Sequence, residues 1–312
     1  RQGRRRAAHP RRAGTGAAGV RGPVVLGDAA SLPGTIGIAH SRTPGVIPEA
    51  SWAQPFFSYD GDIALCANGA PGRFRYGENS QKTYDFMKTE GAIFPSEIDW
   101  HIESYPNLDN GHSLHSSELF SSLVAFHNKE EKLLRRALKK AFEVSPSEIA
   151  ALALSEKEPN AVSAFRLNQP LMWGHKNSAF YLATSALAFI EQDLNWINPA
   201  PTAATMTMTA ESIEFIPMKT FSDFFVAKAP VAAIYKALDR LLADGKAHPI
   251  GDFTKAIKVL WPEDKLAEAA MYSYEYIREK FLAGEIIQVK SSADASRKGD
   301  KAPVVMFQKT DA

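Results

Sequence analysis

Gly37-Ile-Ala-His-Ser-Arg-Thr-Pro-Gly45, then Trp52-Ala-Gln-Pro-Phe56, then Ile63-Ala-Leu-Cys-Ala-Asn-Gly69 is the stretch on which the reading of this chain turns. Two apolar runs inside it, Thr35–Ala39 and Asp62–Ala67, have strand length and are bounded by Gly, Pro and Asp. Each run ends in polar residues at a turn. His40-Ser41-Arg42 follows the first and Asn68-Gly69 the second. Polar groups carried on the ends of neighbouring strands are how a rigid scaffold presents a site.

Outward from that stretch the composition is ordinary. The chain has 312 residues, 45% hydrophobic and 23% charged, with a formal net charge of +1. That length favours one or two domains with a sizeable core. The charge balance gives no electrostatic case for nucleic acid or membrane. A single cysteine excludes an intrachain disulfide framework and a multi-cysteine zinc site, and it fits a reducing, cytoplasmic compartment. No apolar run approaches the ~18–20 residues that span a bilayer.

Residues 1–30 differ from the rest. Seven arginines fall between Arg1 and Arg21 and no acidic residue precedes Asp28. The expected reading is a disordered basic extension, with a transit peptide or a nucleic-acid-binding arm as alternatives. The stretch after Gly69 reads as loop-rich to Ser113, with room for a short strand near Ile98–Ser104. Two helical runs follow, one opened by Ser116-Ser117-Glu118 and one over Lys129–Phe142, where apolar residues recur at three and four. Strand-like segments come next at Ile149–Leu154, Asn160–Leu167, Leu171–Gly174 and Ala179–Thr184. A pair at Thr202–Thr209 and Ser212–Ile216 is expected to close the second sheet as a hairpin. Beyond Lys219 three helices, roughly Val231–Asp244, Asp252–Trp261 and Asp264–Leu282, precede a β-hairpin at Glu285–Lys290 and Pro303–Gln308. That order of elements is also that of a winged helix, but Glu268, Glu275 and Glu279 on its third helix argue against a groove-reading surface.

His40-Ser41-Arg42, Trp52-Ala53-Gln54-Pro55 and Ala67-Asn68-Gly69, in that order and spacing, resemble the class II glutamine amidotransferases. That family shows His-Thr-Arg, an Asn-Ala-His-Pro-like segment and a strand ending in His-Asn-Gly. Asn168-Gln-Pro-Leu-Met-Trp-Gly174 and Tyr181-Leu-Ala-Thr-Ser-Ala186 resemble strands of its second sheet. The resemblance runs over about 35–217, and within the family it points to the glutaminase halves that feed a sugar-phosphate synthase. It implies an α+β fold, the four-layer αββα sandwich of the N-terminal-nucleophile hydrolases. With the readings above, this gives a basic extension at 1–30, an amidotransferase-like sandwich at 31–218, and a small helical, winged-helix-like module at 219–312.

The implied chemistry is attack of an N-terminal cysteine on the side-chain amide of glutamine, an oxyanion intermediate and loss of ammonia to an acceptor. Asn68 and Gly69 match the oxyanion hole, though an Asn-Gly turn leaving a strand is the bland alternative. Arg42 matches the arginine that grips the α-carboxylate, and Thr43 stands for a later threonine of the same loop; a surface arginine is the alternative. Ser116 stands where the family has the aspartate that pairs with the α-ammonium, and it reads equally as a helix N-cap. Gln54 replaces a histidine. Cys66 lies inside a strand, where a thiol is expected to pack rather than react. No cysteine precedes Gly37, so the expectation is a glutamine amidotransferase-like domain inactive for want of its nucleophile. A non-catalytic amino-acid- or partner-binding protein on the same fold is the alternative. Glutamine is the implied small-molecule partner and an acceptor or synthase subunit the implied protein partner. A homo-oligomer is left open, and no cofactor or metal is implied.

Overall fold

The computed structural model of the protein describes residues 36–40, 50–69, 79–103, 105–191, 194, 196–224, 230–261, 266–294 and 303–310. It is a mixed helix-and-sheet fold. Its centre is a six-stranded antiparallel sheet of β1 (Phe56–Phe57), β2 (Ile63–Gly69), β3 (Ile149–Ser155), β4 (Val162–Arg166), β8 (Ala204–Met208) and β9 (Ile213–Pro217), in that order. The two-residue alternation of strands sorts its side chains onto two faces. Ile63, Leu65 and Ala67 of β2, with Ile149, Ala151 and Ala153 of β3, face three helices. These are α1 (Ser80–Thr89), α2 (Ser116–Glu131) and α3 (Leu134–Val144). Their buried Met87, Leu123, Val124, Leu138 and Phe142 complete the largest core.

The opposite face carries Ala150, Leu152, Ala164 and Met206, which meet Leu171 and, from a smaller sheet, Trp173 and Leu182. That sheet is antiparallel, in the order β6 (Ala179–Ala183), β5 (Met172–Lys176), β7 (Trp196–Pro199). β7 crosses β5 closely at Gly174, where a Cβ would stand 2.6 Å from Leu194 Cδ1 and 3.0 Å from the Trp196 carbonyl oxygen. A side chain there would have to displace Leu194 and Ile197.

The C-terminal part has its own core. Helices α4 (Val231–Leu242), α5 (Ile250–Ile257) and α6 (Leu266–Leu282) enclose Ile234, Leu238, Phe253, Ile257, Tyr276 and Ile277. A three-stranded sheet, β10 (His248–Pro249), β12 (Pro303–Lys309) and β11 (Ile286–Asp294) in that order, closes it. Helix α6 also faces the other way. Its Met271 packs with Met172, Ala186 and Phe189 on the outer side of the small sheet. Glu268, one turn earlier, pairs with Arg166 of β4 at 2.8 Å, and both side chains are almost fully buried. The Arg166 guanidinium also donates to the Gln169 and Ala200 carbonyls.

Several expectations need correction. Of the first expected strand, Thr35 lies outside the described residues and residues 36–39 join no ladder among the described residues; the Ala39 carbonyl meets the Cys66 thiol of β2. The β8–β9 hairpin finishes the six-stranded sheet on β4, and the third strand of the small sheet is β7. Lys132 takes a left-handed φ of 55° and ends α2, so the second helical run starts only at Leu134. The stretch read as loop contains α1, whose buried residues are Ser80, Thr83, Tyr84 and Met87. Near Ile98 there is only an isolated bridge to Ser113.

Candidate functional site

The end of β2 is built by three neighbours. On one side, β3 pairs along its whole length, with Asn68 opposite Ala150 and Gly69 opposite Ile149. On the other side, β1 pairs only at Phe56↔Leu65 and Phe57↔Ala64. Continued, that register puts residue 54 opposite Ala67, but the main chain has left the sheet by then. The Gln54 side chain takes the place of a strand: its Nε2 donates to the Ala67 carbonyl at 2.9 Å and its Oε1 accepts from the Ala67 N–H.

This arrangement fixes where the polar groups of the last two residues point. Main-chain groups of a strand alternate sides with a period of two. Ala67 turns its N–H and C=O toward Gln54, so Gly69 turns its own the same way. The far side agrees, because the Ile149 carbonyl opposite Gly69 accepts from Leu167 of the next segment rather than from β2. The Asn68 side chain, in phase with Ala64 and Cys66, projects on the face that meets the small sheet. Both Asn68 and Gly69 are exposed. An amide side chain and a main-chain N–H thus lie together at one open strand end.

Ser116 comes level with that end on the helix side of the sheet, the face opposite to the one on which Asn68 projects. Asn128 Nδ2 of α2 lies 3.5 Å from Asp62 Oδ2, just ahead of β2, and Ser121 Oγ lies 3.4 Å from the Phe56 carbonyl. Helix α2 therefore runs antiparallel to β2, and its first residue reaches the level of Ala67 and Asn68. Ser116 is not the N-cap. His115 is, its Nδ1 accepting from the Ser117 N–H at 3.2 Å. The His115 ring packs on Trp52, Phe56 and Tyr105, with centroids 4.6–5.4 Å away. Buried Glu118 accepts from both the N–H and the hydroxyl of Ser96, and Ser96 Oγ accepts from the His115 N–H. This lattice fixes the start of α2. Sequence reading passed over His115 and Ser96, although Ser116-Ser117-Glu118 marked a helix start.

Cys66 is buried, its thiol donating to the Ala39 carbonyl at 3.8 Å. Burial pushes its pKa up to about 12, so the thiolate that would attack an amide does not form near neutral pH. His40 is half-buried and described; Arg42 and Thr43 lie outside the described residues. Among the described residues, no group of three or more ligating side chains is placed to hold a metal ion. No described helix is long and apolar enough to cross a membrane.

Sequence comparison gives the same class that the early motifs imply: the chain resembles the class II glutamine amidotransferases over about half of its length. The particular proteins it matches are glutamine–fructose-6-phosphate aminotransferases (isomerizing). With that of Methanothermobacter thermautotrophicus it shares 30% identity over 165 residues, 52% of this chain and 24% of the relative. With that of Chlorobaculum tepidum it shares 27% over 176 residues, 55% of this chain and 24% of the relative. The matched part thus spans about a quarter of the curated relatives' length. No family model matches the chain. Among solved structures, glutamine phosphoribosylpyrophosphate amidotransferase from B. subtilis overlays with a TM-score of 0.45 at 13% identity, covering 83% of this chain and 53% of that one. That overlay is too loose to define the fold.

Proposed function

We propose that the chain is a glutamine amidotransferase-like domain on a four-layer αββα frame, taking the side-chain amide of glutamine at the open end of β2. The observation that carries this reading is that Asn68 and Gly69 are both exposed at the end of β2, the Asn68 carboxamide on one face of the sheet and the Gly69 N–H on the edge away from β3. When a thiolate adds to the amide carbon, charge collects on the amide oxygen. Two preorganised donors stabilise that charge, and loss of one such donor costs other hydrolases ~2.7–4 kcal/mol of barrier. Ammonia then leaves, water cleaves the thioester, and glutamate is released. In this reading Arg42 and Thr43 hold the α-carboxylate and Ser116 takes the place beside the α-ammonium.

The one thiol of these 312 residues is buried Cys66, so the chain by itself binds glutamine without turning it over. The ammonia, in a molecule supplied with a nucleophile, passes to an acceptor enzyme or synthase subunit. The expected outcome with isotope-labelled chain is that L-glutamine shifts the Asn68 side-chain and Gly69 amide resonances, that D-glutamine does not, and that no ammonia is released. Absence of any shift at the β2 end with tens of millimolar L-glutamine would sink the proposal.

A second reading is favoured by two observations. Ser116 offers no charge to an α-ammonium, and the buried thiol offers no nucleophile. On that reading the domain is a non-catalytic amino-acid- or partner-binding protein. A chain given a Cys-Gly start discriminates the two: ammonia release favours the enzyme, and binding without release favours the binder. We read residues 219–312 as a winged-helix-like packing module. Helix α6 lies against the small sheet and carries Glu268, Glu275 and Glu279 beside Arg278 and Lys280, a balance less basic than a groove-reading helix needs.

A further inference from the structure

The geometry points to Gln54 as the positioning residue of the Asn68-Gly69 donor pair, an inference that rests on the amidotransferase reading of that pair. Strand β1 is two residues long, and its hydrogen bonds to β2 end at Leu65. From there to Gly69 the only described group on that edge of β2 bonded to its main chain is the Gln54 carboxamide, which closes both polar groups of Ala67. The next position with groups on that edge is Gly69. Gln54 is therefore the last clamp before the donor pair. Its two bonds copy a strand pair, and they hold the N–H and C=O of Ala67 at a fixed angle. Asn68 and Gly69 inherit that angle, since among the described residues only β3 holds them otherwise.

A carboxamide suits this task. Along one edge it presents a donor N–H and an acceptor oxygen in one plane, spaced to meet the C=O and N–H of a single residue. An imidazole presents its donor and acceptor on opposite sides of a ring and cannot close both bonds on one residue. A carboxylate can accept from the Ala67 N–H but turns a second lone pair toward the Ala67 carbonyl. Only when protonated does it regain the missing donor.

The test uses that difference. In the free protein, Gln54→Ala is expected to move the Asn68 side-chain and Gly69 amide resonances while leaving those of Ala150 and Ala151 in place. It is also expected to weaken L-glutamine binding about tenfold, as loss of a buried hydrogen-bonded partner does. Gln54→Glu serves if the alanine variant does not fold. Its Asn68 and Gly69 resonances should move reversibly between about pH 5 and 8, approaching the parent positions at the acid end, while the parent shows no such movement. Resonances of Asn68 and Gly69 that stay unchanged in Gln54→Ala, or fail to follow pH in Gln54→Glu, overturn the positioning role. Resonances that move as expected in a protein whose β2 end never responds to glutamine would keep Gln54 as the clamp and remove the amidotransferase reading instead.

Discussion

Cys66 shows how position in a strand decides what a side chain can do. It faces the space between the two sheets, one residue from the backbone groups that Gln54 holds and two before the exposed Asn68. Burial pushes its thiol up to about 12. The expected outcome is that iodoacetamide at pH 8 leaves the native chain unmodified and alkylates it fully in urea, as read by intact mass. Rapid native labelling would mean that the β2 edge opens. The motif residues around Cys66 were legible because they are polar letters at strand ends. His115 and Gln54 were not legible in their present roles. One caps a helix that a serine was expected to cap, and the other replaces a strand with a side chain. Neither job leaves a pattern in composition or spacing.

At the scale of elements, the strands and helices that read correctly are those whose apolar residues repeat. Strand β3 is of this kind, and so is helix α3 apart from its start. Helix α1 escaped because its inward positions, Ser80, Thr83, Tyr84 and Met87, have helical spacing but only one is aliphatic. Strand β7 escaped because Asn198 and Pro199 argue against a strand; it is an edge strand, where a missing N–H is tolerated. The β8–β9 hairpin was recognised as a hairpin, but the sheet it joins depends on pairing with β4, which local sequence does not encode.

Helix α6 adds a pH dependence of its own. Burial, and then the nearby Glu279, raise the Glu275 carboxyl to about 7 against the pull of Arg278. A folded-state pKa above the unfolded one means that folding takes up a proton between them. The stability linked to Glu275 is therefore complete below about 4.5 and is lost as pH rises through about 7. Glu275→Gln should match the parent Tm at pH 4.5 and exceed it at pH 8. Equal melting temperatures at pH 8 would show that the carboxylate is well solvated.

For the whole molecule, the Arg166–Glu268 pair joins a central strand to the C-terminal helix. A buried pair contributes little over an apolar replacement, but a single partner left behind costs ~3–5 kcal/mol. Glu268→Leu should therefore lower unfolding stability by about 3 kcal/mol or more. Arg166→Met combined with Glu268→Leu should recover part of that loss, though the Gln169 and Ala200 carbonyls lose a donor. Urea unfolding followed by fluorescence and circular dichroism measures both. Coincident curves are expected in the parent, and separate transitions would mean that the C-terminal part unfolds by itself.

The same helix has a bearing on ancestry. Because α6 lends one side to its own bundle and the other to Met172 and Phe189, the two parts of the chain are not freely exchangeable cassettes. A recombination break near residue 218 would hand one descendant a bare oily sheet and the other a helix with an oily back. Lineages that keep either part should keep both, or else show new polar residues at positions 172, 189 and 271.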